Sequence, residues 1–156
     1  MATILDLQIA TNDKGLPIEN QFKLWLNTAL NHLNHQNDIE ITIRIVSAEE
    51  ITELNNNFRG KNKPTNILSF PAELPNIVKG NYLGDLVICA DIINEEALQD
   101  NKKPCDHFAH ITIHGLLHLL GFDHETEKDA EQMEKLEIDI LKLLNIDNPY
   151  TTNNNE

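Results

Sequence analysis

Apolar residues along this chain recur with two periods, and the switches between the periods mark its elements. In residues 3–10, Leu5, Leu7 and Ile9 fall on one face of a strand. Ile18, Phe22, Trp25, Leu26, Ala29 and Leu33 then recur at helical spacing and predict a first amphipathic helix. Residues 39–46 return to strict alternation, with Ile39, Ile41, Ile43 and Ile45 set between Glu40, Thr42 and Arg44, and predict a second strand. Ser47 followed by Glu50 is a capping-box signal for a short helix ending near Asn57. A polar loop, Phe58–Lys63, is closed by Pro64 and leads to a short strand, Asn66–Phe70, halted by Pro71. Residues 72–81, with Pro75 and Gly80, read as an irregular excursion. Leu83–Ala90 predicts another strand, and its unbroken apolar run Leu86–Ala90 calls for burial on both faces.

The remainder is helical. A short helix is expected around Asn94–Leu98, and Pro104 suits the first turn of the next, which runs to Leu120 and stops at Gly121. The last helix opens on Thr126 and Asp129 as its cap pair and buries Ala130, Met133, Leu136, Ile140, Leu141 and Leu144. The order β-α-β-α-β-β-α-α-α predicts an α/β (α+β) fold, a small mixed four-stranded sheet packed with helices. No repeat or linker interrupts it, so residues 1–150 are expected to form a single domain and residues 151–156 a disordered tail.

Composition narrows the classes. With 156 residues, 40% hydrophobic and 24% charged, the chain can bury one core without staples. Cys89 and Cys105 form no spaced pattern, which argues for a reducing compartment. No segment approaches the roughly 18 apolar residues of a membrane span. The opening MATILDLQIA has no basic stretch and carries Asp6, so neither a signal peptide nor a membrane partner is expected, and the cytoplasm is the default location. The net charge of −13 disfavours nonspecific attraction to nucleic acid. That charge is uneven: residues 125–139 hold seven acids against two lysines, whereas Arg59, Lys61 and Lys63 form a basic knot.

Five of the seven histidines lie between residues 107 and 124. At 100° per residue, His107, His110, His114 and His118 share an arc of about 80° on a helix that is otherwise nearly all apolar. Such a helix is a buried one, and buried imidazoles need partners. His114 and His118 stand one turn apart, which suits two ligands to one metal, and Gly121 lets the chain double back to offer His124 as a third. Three neutral imidazoles leave one position of a tetrahedral Zn²⁺ open, the catalytic rather than the structural arrangement. Chance recurrence of this spacing is roughly 0.014 at this histidine content, which favours one metal ion per chain over satisfied core histidines. His107 and His110 are expected to pack or to support the ligands, since three suffice. The spacing also resembles the metzincin protease signature, but the general-base glutamate of that motif would fall where Gly115 stands. Met133 is expected in the core rather than in a Met-turn.

Three blocks together resemble the YbeY family of bacterial rRNA-maturation endoribonucleases over essentially the whole chain. They are Asn57-Phe58-Arg59 through Pro64-Thr65-Asn66-Ile67-Leu68-Ser69-Phe70-Pro71, then Leu83-Gly84-Asp85-Leu86-Val87-Ile88-Cys89, then the histidine block. The resemblance implies a zincin-like fold and a metal, usually taken as zinc, on His114, His118 and His124. It also implies an arginine, here Arg59, important for activity. It further implies action on the 3′ end of small-subunit (16S) rRNA and in ribosome quality control. The partners implied are single-stranded RNA, the ribosome and small-subunit ribosomal proteins, for a chain expected to act as a monomer. At residue 66 the family often has Asp where this chain has Asn66.

From the residues themselves, Arg59 offers a planar fork to an oxyanion, and a solvated loop arginine is the plainer reading. Asp123, the only acid inside the histidine block, is a candidate base, and Asp85 could orient a ligand histidine or simply open its strand. Lys61 and Lys63 are candidate RNA-backbone contacts. Two other classes stay open: a metal-dependent hydrolase of peptides or small amides, and a ribosome-biogenesis binding factor with a structural metal.

Overall fold

The alternating isoleucines of residues 39–46 build an inner strand that buries Ile39, Ile41, Ile43 and Ile45 on one face and leaves Glu40 exposed and Thr42 and Arg44 half-buried on the other. The computed structural model describes residues 2–73 and 81–151. Its elements run β1 (Thr3–Ala10), α1 (Glu19–His32), β2 (Ile39–Val46), α2 (Ala48–Arg59), β3 (Ile67–Pro71), β4 (Tyr82–Cys89), α3 (Ala90–Gln99), α4 (Pro104–Leu119) and α5 (Glu127–Leu143). This is the order the periodicity predicts. Most of the 72–81 excursion and residues 152–156 of the tail lie outside the described residues.

The sheet order is β1-β2-β4-β3, with β1, β2 and β4 parallel and β3 antiparallel to β4. The unbroken run Leu86–Ala90 is buried throughout, as a strand covered on both faces requires. One face carries Leu5, Ile41, Ile43, Leu86 and Ile88 against α1 and α4, with Met133, Ile140 and Leu141 of α5 behind them. Val46, Leu68, Val87 and Cys89 point the other way and meet Ile51 of α2. Cys89 is buried and Cys105 exposed, and neither is paired. Among the described residues no helix is long and apolar enough to cross a membrane.

Four expectations change. Ile9 shares the face of Leu5 and Leu7 but is 51% exposed, next to the end of the edge strand β1. Ile18 is exposed as the N-cap of α1, outside the buried stripe it was expected to begin. The helix after Ser47 runs to Arg59, so Phe58 and Arg59 occupy its last turn instead of a loop. Glu50 does not reach back to complete a capping box. Ser47 Oγ accepts from the Glu50 N–H, while the Glu50 carboxylate takes Arg44 at 2.9 Å. The Thr126 cap and the buried Met133 stand as expected.

Gly115 explains how closely α4 lies on the sheet. A Cβ there would stand 2.6 Å from Ile67 Cδ1 and 2.8 Å from Leu86 Cδ2. The position therefore faces the sheet, and any side chain there would have to displace the ends of Ile67 and Leu86. Gly115→Ala is expected to overpack this contact and cost about 1–3 kcal/mol in urea denaturation. Unchanged stability would show that Ile67 and Leu86 repack freely.

Candidate metal centre

Helix α4 delivers two histidines and its C-terminus delivers the third. His114 and His118 are one turn apart, with ring centroids 4.6 Å apart and their Nε2 atoms at 3.1 Å. The helix closes in a Schellman motif: Gly121 N–H donates to His118 C=O and Phe122 N–H to Leu117 C=O, both at 3.0 Å. Gly121 takes φ +101°, which a residue with a side chain would resist. Phe122 then packs on the core, and the reversed chain sets the His124 ring 5.1 Å from that of His118 and 5.8 Å from that of His114.

One ring nitrogen from each histidine lies within 4.8 Å of the others. Zn–N bonds of about 2.0–2.1 Å in a tetrahedron place ligand nitrogens about 3.3 Å apart, so the His114–His118 spacing needs little adjustment. Burial lowers the His118 pKa, and His114 and His124 lower it further, so the ring is held in the neutral, ligating form. The donor set fits a zinc-like ion with an open coordination position. Among the described residues the group comprises these three histidines and no fourth protein ligand.

Behind the ligands lies a carboxylate from the acid-rich segment 125–139. Glu137 of α5 is fully buried. His114 Nδ1–H donates to its Oε2 at 3.0 Å and His110 Nε2–H to its Oε1 at 2.6 Å. Burial alone would raise this carboxyl, but the hydrogen bonds from His110 and His114 hold it down at about 2. Because the carboxylate can only accept, it fixes the proton on His114 Nδ1 and leaves Nε2 free to bind metal. The Tyr150 hydroxyl donates to the same Oε1 at 2.7 Å, and burial together with the Glu137 charge keeps its proton in place. One signal was legible: Glu137 stands at helical spacing from Met133 and Ile140 or Leu141, inside the apolar stripe rather than opposite it.

Asp85 does not take the part considered for it. It pairs with Phe70 and Thr42 on the sheet face turned away from α4, and its carboxylate accepts from the Tyr82 hydroxyl. Burial raises its pKa. His107 donates to Glu96 at 2.9 Å, and Asn66 Nδ2 donates to the same carboxylate at 3.1 Å. An aspartate at position 66 would set like charges against each other there.

The three histidines open into a cleft of about 600 Å³ walled by β3 and the end of α2. Arg59 lines it with Phe58, Phe70 and Glu73. Gly60 closes α2, and buried Asn55 donates to Lys63 C=O at 2.9 Å, which pins the loop leading to β3. Lys61 and Lys63 are exposed on that loop and are not brought into the cleft. Asp123 is exposed, its carboxylate accepts from Glu125 N–H at 3.3 Å, and it too lies outside the cleft lining.

The family model described as Endoribonuclease YbeY matches residues 7–145. Endoribonuclease YbeY of Colwellia psychrerythraea is 48% identical over 152 residues, covering 96% of this chain and 98% of that protein. Endoribonuclease YbeY of Alteromonas mediterranea is 47% identical over 155 residues, with the same coverage of 96% and 98%. The solution structure of TM1509 from Thermotoga maritima superposes with a TM-score of 0.58 at 25% identity, covering 96% of this chain and 99% of that one.

Zinc binding should reach one ion per chain and weaken as the pH falls through about 6.5, because protons compete for the same imidazole nitrogens. Elemental analysis of a His114→Ala/His118→Ala variant should find the metal lost. Glu137→Gln should weaken zinc about 10- to 100-fold in a chelator competition, and equal affinity would show that the carboxylate only fills space.

Proposed function

The chain belongs to the family of YbeY endoribonucleases, and we propose that it hydrolyses phosphodiester bonds of single-stranded RNA with a metal held by His114, His118 and His124. The observation that carries this reading is a single cleft lined by all three histidines and by Arg59. A zinc-like ion there supplies Lewis-acid polarisation of a phosphoryl oxygen and brings the pKa of a water toward about 7. Arg59 faces the same space and complements the charge that develops on the equatorial oxygens. Glu137 and His110 keep the His114 ring oriented, so Nε2 need not reorganise during the reaction. Lys61 and Lys63 contact the RNA backbone outside the cleft, and Asp123, the only acid within the histidine block, is the candidate to accept a proton.

The substrate proposed is the 3′ end of small-subunit (16S) rRNA, processed in the cytoplasm by a monomer whose single domain spans residues 1–150. Quality control of ribosomes and contact with small-subunit proteins belong to the same reading. An acidic chain with one basic knot finds RNA through local contacts, and a ribosomal partner adds to them. A peptide or amide hydrolase is disfavoured because Gly115 stands where that motif has its general-base glutamate. A binding factor with a structural metal is disfavoured because three histidines face an open cleft.

The deciding experiment is cleavage of a 3′-extended small-subunit rRNA precursor with and without chelator. Chelator-sensitive trimming is expected, and an intact precursor under both conditions would defeat the proposal. Arg59→Ala should lower the cleavage rate about 10²- to 10³-fold with metal content and melting temperature unchanged. Arg59→Lys should recover only part, because a point charge lacks the planar fork.

A further inference from the structure

We propose that Phe58, braced by Phe70, is a stacking platform for one unpaired nucleobase at the rim of the histidine cleft. The inference rests on the RNA reading above and adds a base-binding site to it. Phe58 is 66% exposed, whereas Phe22 and Phe108 are buried and Phe70 and Phe122 are half-buried. A large apolar ring left in water at the end of a helix contributes little to the core. Its position is nevertheless defined: Phe70 of β3 meets it edge to face, with centroids 5.3 Å apart and planes at 68°. Both rings line the cleft that holds His114, His118, His124 and Arg59.

Charge explains why such a platform is needed. Among the described residues lining the cleft, Arg59 is the one Lys or Arg side chain, and Glu73 opposes it. The chain as a whole carries −13. Phosphate contacts alone therefore give weak attraction, while stacking on an aromatic face does not depend on net charge. Every base has a face, but only an unstacked base can present it, so the platform selects single strands without reading sequence. Phe58 and Arg59 are adjacent in the chain, which couples the stacked base to a phosphate near the metal.

The test uses a short single-stranded oligoribonucleotide carrying the fluorescent base 2-aminopurine, with the zinc-loaded full chain. Wild type and Phe58→Trp should quench the fluorescence within seconds of mixing. Phe58→Leu, which keeps an apolar side chain but removes the ring, should lose the quench and raise KM roughly 5- to 100-fold, with kcat nearly unchanged. Its metal content and melting temperature should match wild type, since the residue is largely exposed. If Phe58→Leu matches wild type in quench and KM while both cleave, the platform is overturned and the endoribonuclease reading survives. A fall in kcat at constant KM also overturns it. A wild type that neither binds nor cleaves the oligonucleotide removes both.

Discussion

A helix that is apolar on nearly every side, yet carries four imidazoles on one stripe, has to find acceptors for them inside the fold. In this protein two carboxylates meet that need for three of the four, and His118 turns to the cleft beside His114. Glu137 takes His110 and His114, and Glu96 takes His107. A lone buried carboxylate would be costly, and so would wholly unpartnered imidazoles; each group here gives the other a partner, although Nδ1 of His107 and of His110 has none among the described residues. The arrangement also has a chemical consequence. Once Glu137 holds the proton on His114 Nδ1, the opposite nitrogen is committed to the cleft, 3.1 Å from His118 Nε2. The same hydrogen bonds that let α4 be buried thus prepare its exposed end to bind metal.

The sheet sets the second boundary of the site. Gly115 lets α4 approach Ile67 and Leu86, which brings β3 beside the histidines. The antiparallel β3 edge and the last turn of α2 then form the cleft walls, and buried Asn55 of α2 ties down the connecting loop by donating to Lys63 C=O. Arg59 reaches the cleft from the end of a helix that is anchored by Ile51 on the opposite sheet face. The acidic face of α5 lies apart from these walls, since none of its residues lines the cleft. A strongly acidic protein can therefore keep a local surface fit for a polyanion.

Much of this was legible in the chain. Period-two and period-3.6 patterns reproduced the element order, and Thr126 and Pro104 marked helix starts where the structure has them. The histidine spacing with its terminal glycine identified the grouped imidazoles before any coordinates, because ligands one helical turn apart and a left-handed stop are local features. Two of the misreadings were non-local and one was a matter of a helix boundary. Ile9 and Ile18 continue an apolar pattern, but exposure depends on where neighbouring elements end. Arg59 looked like a loop residue because helix propensity gives no sharp stop between Asn57 and Gly60.

Sequence alone determined the order of the secondary elements, hence the mixed α/β class, and the three-histidine set, since each element and the histidine spacing follow from residues within one segment. Tertiary structure decided which acid serves the histidines. Asp85 and Asp123 lie in motif blocks yet face a hydroxyl and a backbone amide, while Glu137, one of seven acids in its segment, is the buried one. It also decided that Arg59, some fifty residues from the histidines in sequence, shares their cleft. Burial and proximity arise only when separate elements pack, and no pattern read along one strand or helix can specify which of its faces will meet which partner.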